Sequence, residues 1–194
     1  MQGRIVFLLE EPSMKVLLDG WLPHLFPGWV DGQHFLCIQH EGKSDLDRSI
    51  ARKLAAWRFP DDCFVIVRDN DNADCIALKA RLQTLCEQSG RAETLIRLVC
   101  QELESWYIGD LAALATAFNR PKLDTPAHRK RFIDPDAWHK PSVEVKRLVP
   151  AFQKHSGARA MAQYLNPESN RSHSLKVFVA GVHRLAIGLG YQAP

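Results

Sequence analysis

The stretch CFVIVRDND, residues 63–71, runs through five apolar residues and then breaks into charge at Arg68, Asp69, Asn70 and Asp71. A continuous apolar run that ends abruptly in polar residues reads as a parallel strand covered on both faces. IVFLL (5–9) repeats the pattern and stops at Glu10, Glu11 and Pro12, while HFLCI (34–38) and LIRLVC (95–100) supply two further strands. The segments between them carry helical spacing. Residues 15–26 read as a short helix despite Gly20 and Pro23. Over 45–58, Leu46, Ile50, Leu54 and Trp57 recur at helical intervals behind a capping signal formed by Ser44 and Asp47. Asp74 can cap a third helix, whose stripe of Cys75, Leu78, Leu82, Leu85 and Cys86 ends before Gly90.

Strand and helix therefore alternate three times over short connections, which specifies a four-stranded parallel sheet with right-handed crossovers and helices on its faces. From Gln101 the chain turns helical again through Glu104, Trp106, Leu111, Leu114 and Phe118. Pro121, Pro126, Pro135 and Pro141 then mark an irregular basic stretch, followed by helices at 143–153, 157–165 and 174–188. The expected organisation is an α/β domain over 1–118 with a basic helical C-terminal extension over 119–194 packed on it.

Composition excludes several classes. Apolar content of 46% and charged content of 24% are ordinary globular values, against disordered or fibrous chains. No apolar run approaches the roughly 20 residues of a membrane-spanning helix, and IVFLL is too short for a secretion signal, so a cytoplasmic protein is expected. The five cysteines (Cys37, Cys63, Cys75, Cys86 and Cys100) are odd in number and lack CxxC spacing, which reads as reduced core thiols. Charge is uneven: residues 1–118 hold 12 Lys and Arg against 17 Asp and Glu, and residues 119–194 hold 13 against 5. Acids in front and bases behind suit a protein that holds a cation with one half and phosphates with the other.

In an open parallel sheet, ligands bind beyond the carboxyl ends of the strands, where strand order reverses. With the order 2-1-3-4, strands one and three are neighbours, and Glu10 meets Asp69 and Asp71. Carboxylates brought together raise one another's pKa unless a cation lies between them. Mg²⁺ or Mn²⁺ is the natural ion, since hard oxygen ligands and retained waters suit it. Side-chain alternation in an extended turn would set Asp69 and Asp71 on one side, to share one metal or bridge two. Glu10 would be a ligand or general base, Glu11 a solvated neighbour, and Glu104 a further acid at the site or just behind it. Trp106 reads as core, and Ser172, His173 and Ser174 as a helix-capping turn.

These signals resemble TOPRIM domains, which carry a glutamate after the first strand and a D-x-D motif after the third. More narrowly, LEEPS (9–13), VRDND (67–71) with Cys75 following, QELESWY (101–107) and NRSHSL (170–175) resemble a bacterial TOPRIM-like family often encoded beside an AAA or ABC-type ATPase in phage-defence loci. The resemblance implies Mg²⁺-dependent phosphodiester chemistry on DNA or RNA, related to that of the overcoming-lysogenisation-defect nucleases. It makes Glu10, Asp69 and Asp71 the catalytic and metal-binding residues, and an ATPase the partner. Arg129, Lys130, Arg131, Arg171 and Lys176 would then contact phosphates, and Arg68 would stabilise charge. Two departures stand out, Glu11 where such proteins commonly have glycine and Met14 where the family often has an acid, so either Glu10 or Glu11 is the ligand. The rival readings are a non-catalytic metal-binding subunit of an ATPase and a receiver-like phosphoacceptor domain, whose lysine after a fifth strand has no counterpart here.

Overall fold

The computed structural model describes residues 3–191. Four strands, β1 (Ile5–Leu9), β2 (Phe35–Gln39), β3 (Cys63–Asp69) and β4 (Leu95–Val99), alternate with α1 (Pro12–Leu25), α2 (Lys43–Ala56) and α3 (Cys75–Gln88). Beyond β4 come α4 (Glu104–Ile108), α5 (Leu111–Ala117), α6 (Pro126–Arg131), α7 (Pro141–Leu148), α8 (Lys154–Met161) and α9 (His173–Gly188). All strand pairings are parallel, in the order β2-β1-β3-β4. Register pairs Leu9 with Val67 and Asp69 with Val99, which brings the polar ends of β1 and β3 and the turn after β4 to one edge.

Alternation along the strands builds two cores. Val6, Leu8, Phe64, Ile66 and Ile96 face Leu46, Ile50 and Leu54 of α2 and Leu78 and Leu82 of α3. Ile5, Phe7, Leu9, Val65 and Val67 face the opposite side, where Trp21, Trp106, Phe178 and Val182 cover them. Helices from both halves of the chain thus share one core. Trp21, Trp106 and Phe178 meet as rings, with centroids 5.2 to 6.3 Å apart. Emptying that cluster by Phe178→Ala should cost about 3–5 kcal/mol, the lost transfer energy plus the cavity. Gly20 sits inside α1 because a β-carbon there would lie 2.9 Å from that of Ala162, so the helix interior is left bare where the segment after α8 crosses it.

Several boundaries differ from the sequence reading. α1 begins at Pro12, whose missing N–H costs nothing in a first turn. Ser44 does not cap α2: the cap is Gly42 at φ 94°, and Asp47 turns to arginines. The helical stretch after Gln101 is divided into the pair α4 and α5, because Asp110 leaves helical geometry and its side chain accepts the Ala113 N–H to start the second. Asp74 and Ser172 do cap, accepting from the N–H groups of Ala77 and Leu175. The cysteines are unpaired, yet only Cys37 and Cys86 are buried and Cys75 is exposed, as the first residue of α3 faces water.

Candidate functional site

Each segment that ends at the common edge brings acids to it. Glu10 and Glu11 follow β1, Asp69 closes β3 with Asp71 in the turn beyond, and Glu104 opens α4 after β4. Glu10, Asp69 and Glu104 are all buried, Glu104 to 1% exposure. The Glu10 carboxylate accepts the Asp69 N–H at 3.1 Å and lies 3.8 Å from the Arg68 guanidinium. Burial lifts the Glu10 carboxyl to about 7 despite Arg68, with Asp71 pushing further. Glu104 reaches about 7 for the same first reason, with Lys154 opposing and Glu11 and Glu102 adding. Asp69 is raised well above its ordinary range by burial and then by Glu11, Glu10, Glu104 and Asp71 in turn.

Mutual repulsion of this kind means that the five acids feel one another across one small volume. Their hydrogen bonding is incomplete. Asp69 Oδ1, Glu104 Oε2 and the Tyr107 hydroxyl are buried and have no hydrogen-bond partner among the described residues. Native interiors seldom leave such atoms orphaned, and a cation or its waters would satisfy them. The donor chemistry therefore fits Mg²⁺ or Mn²⁺. Among the described residues, however, no three His, Cys, Asp or Glu side chains are arranged to hold an ion by themselves. Retained waters or substrate oxygens would have to complete the shell, which is the habit of Mg²⁺.

Asp71 departs from expectation. It does not continue an extended alternation with Asp69, since its φ is 48° and the chain turns left-handed through Asp71 and Asn72. Its carboxylate, about two-fifths exposed, pairs instead with Lys43 at 2.9 Å. Such backbone costs on the order of 1–2 kcal/mol per residue and persists only when braced. Asn70 is the brace: its amide oxygen accepts the Gln101 N–H, and its nitrogen reaches Ala73 O and Cys75 Sγ, both at 3.1 Å. Glu11 is not simply solvated either, for its carboxylate accepts from Ser13 Oγ and from Lys154 Nζ at 2.8 Å.

Lys154 is the residue that sequence reasoning missed. It opens α8, 143 positions from its partner Glu11, and no local pattern marks it. Burial alone would lower its pKa, but Glu11, Glu104 and Asp69 raise it overall. A cavity of about 430 Å³ opens beside Glu104 and Lys154, with Lys146 and Arg147 on its wall. The arginines singled out earlier are differently placed. Arg68 is buried and binds Asp47 at 2.6 Å. Arg129 grips Asp124 through two bonds of 2.6 Å, Arg131 pairs with Glu144 at 2.7 Å, and Arg171 donates to the Arg129 carbonyl. Lys130 and Lys176 are exposed. Of these six, only Arg68 has a described contact with the acids.

Comparison with known proteins agrees with the fold. No curated protein matches the chain. Among solved structures, the C-terminal region of the Burkholderia pseudomallei OLD protein is similar, with a TM-score of 0.57 at 15% identity, over 97% of this chain and 100% of that one. At that identity the likeness concerns architecture: a parallel α/β sheet flanked by helices. The profile of DUF4276, a domain of unknown function, matches residues 9–183, and the chain belongs to that family.

Proposed function

We propose that this chain is a TOPRIM-like, Mg²⁺-dependent phosphodiesterase acting on DNA or RNA, and the effector of an ATPase-linked defence system. The observation that carries the reading is the group of buried acids, Glu10, Asp69 and Glu104, all raised in pKa, with Asp69 Oδ1 and Glu104 Oε2 unpartnered among the described residues, at the edge where the strands end. The similarity to the OLD C-terminal region supports it at the level of fold.

Asp69, Glu10 and Glu104 would hold the ion, with Asp71 released from Lys43 as a further ligand. A bound divalent cation supplies positive charge to the phosphodiester oxygens as the bond to phosphorus breaks. The remaining work belongs to the protein. Glu10 would be one of these ligands or, left outside the shell, the general base that takes a proton from an attacking water. Lys154 can leave Glu11 for the charge that develops on phosphate, and Lys146 and Arg147 line the approach.

A second reading rests on one feature. Lys43 and Lys154 already sit on Asp71 and Glu11, which favours a closed site that binds a partner ATPase without cutting. Plasmid and single-stranded substrates incubated with Mg²⁺ or Mn²⁺, with and without the ATPase, decide between the two. Cleavage by the natural chain and none by Asp69→Ala is expected. Cleavage that survives Asp69→Ala refutes the assignment of the site, and inertness of both proteins in every condition favours the binding subunit.

A further inference from the structure

We propose that the cavity between α7 and α8 is a nucleotide subsite that takes one unpaired base of a single-stranded substrate, with its phosphate toward the acids. The inference rests on the nucleic-acid reading above and narrows it from nucleic acid in general to unpaired strands or frayed ends.

The cavity measures about 430 Å³, within the roughly 300–1,000 Å³ of ordinary ligand pockets. Val143 and Phe152 give it an apolar wall, and Ser142 and Gln153 add groups able to meet a base edge. Lys146, Arg147 and Lys154 stand around that wall. Lys146 has no ion pair among the described residues, so its charge is free for a phosphate. Glu104, buried to 1% exposure with Oε2 unpartnered among the described residues, also lines the cavity and joins it to the carboxylate group. An apolar wall flanked by cations complements a nucleotide, flat and apolar at the base and anionic at the phosphate. A base held in a duplex is stacked on both faces and cannot enter such a recess, whereas an unpaired base can be splayed into it.

Glu102 shows that the arrangement is built. Its carboxylate accepts the Ser142 N–H at 2.7 Å and so ties the start of α7 to the turn that carries Glu104. The wall and the acids are thereby held in fixed relation.

The test measures binding by fluorescence anisotropy, with Ca²⁺ in place of Mg²⁺. A labelled single-stranded oligonucleotide is compared with the same strand bearing abasic residues, and with its duplex. The intact single strand should bind more tightly than the abasic one by about fivefold or more, as expected when a stacked base is worth about 1–3 kcal/mol. Val143→Asp should bring the intact strand to the abasic level, and Ile133→Asp, on another exposed surface, should leave the difference in place. Val143→Ala, checked by circular dichroism alongside it, should reduce the difference and guards against a folding defect. Competition by a free nucleoside monophosphate at micromolar concentration would keep the subsite and give it a free nucleotide as occupant. Equal binding of intact and abasic strands by the natural protein overturns the proposal. Base discrimination without any cleavage sinks the nuclease reading alone, and cleavage without base discrimination sinks the subsite alone.

Discussion

Two aspartates bound strand β3, Asp62 immediately before it and Asp69 at its end, and both are 6% exposed. Their surroundings are opposite. Asp62 accepts from the Arg4 backbone at 2.8 Å, from the Arg4 guanidinium and from the Trp57 indole at 3.0 Å. Burial would raise its pKa, but those bonds lower it on balance. Asp69 leaves Oδ1 unpartnered and sits among like charges that burial makes worse. The bonds of one acid support the fold, and the burial of the other is a cost to it. The comparison teaches that burial by itself says little about role, and that the satisfaction of a buried carboxylate says much.

The contrast breaks most visibly at Asp69. Asp69→Asn is expected to lower metal-dependent cleavage by at least about 100-fold while raising stability by about 1 kcal/mol, because a repelled buried acid becomes a neutral isostere. Gel assays and urea melts check the two halves, and a drop in both would show that Asp69 is structural after all. Asp62→Ala should do the reverse. It strands Arg4 and the Trp57 N–H, and the loss of unfolding free energy in urea melts is expected to be about 2–3 kcal/mol with cleavage per folded molecule unchanged.

Proton linkage sharpens the same contrast. Glu10 and Glu104 have folded values of about 7 against an ordinary 4.5, so between those limits the native state holds more protons than the unfolded state. Their contribution to stability therefore falls as pH rises from about 4.5 to about 7. Asp62 has the opposite sign, since its lowered pKa gives stability above its unfolded value that is lost as acid protonates the folded group. On the proposed function, Mg²⁺ binding would displace protons from Glu10 and Glu104. Its effect on the melting temperature should be largest near pH 8 and fade below pH 7, and a shift independent of pH would place the ion elsewhere. The smallest stability effect is expected at Lys154, whose pair with Glu11 is half-exposed. Lys154→Met should cost under about 1 kcal/mol. It should also move the acid limb of a pH–rate profile upward, as Glu104 loses the cation that opposes its raised pKa.

Much of the fold was legible because it rests on short periodicities. Apolar runs at 5–9 and 63–67 located the two central strands, and the acids that ended them located the edge. Less was legible where one residue answered to a distant one. Ser44 and Asp47 look like a cap in sequence, yet Asp47 is claimed by Arg68 and Arg81 from other elements. Arg131 looks free for phosphate, yet it pairs with Glu144 from another helix.

By itself the sequence determined a four-stranded parallel α/β sheet and, with the order 2-1-3-4 taken for it, the arrival of Glu10, Asp69 and Asp71 at one end, with Glu104 as a further acid. Strand polarity and side-chain alternation follow from residue type and spacing alone. Tertiary structure alone decided that Asp71 turns left-handed onto Lys43, that Glu11 is taken up by Lys154, and that α7 and α8 place a basic recess beside Glu104. Those outcomes depend on the sign of a backbone angle and on distances between residues far apart in the chain, which no local pattern encodes.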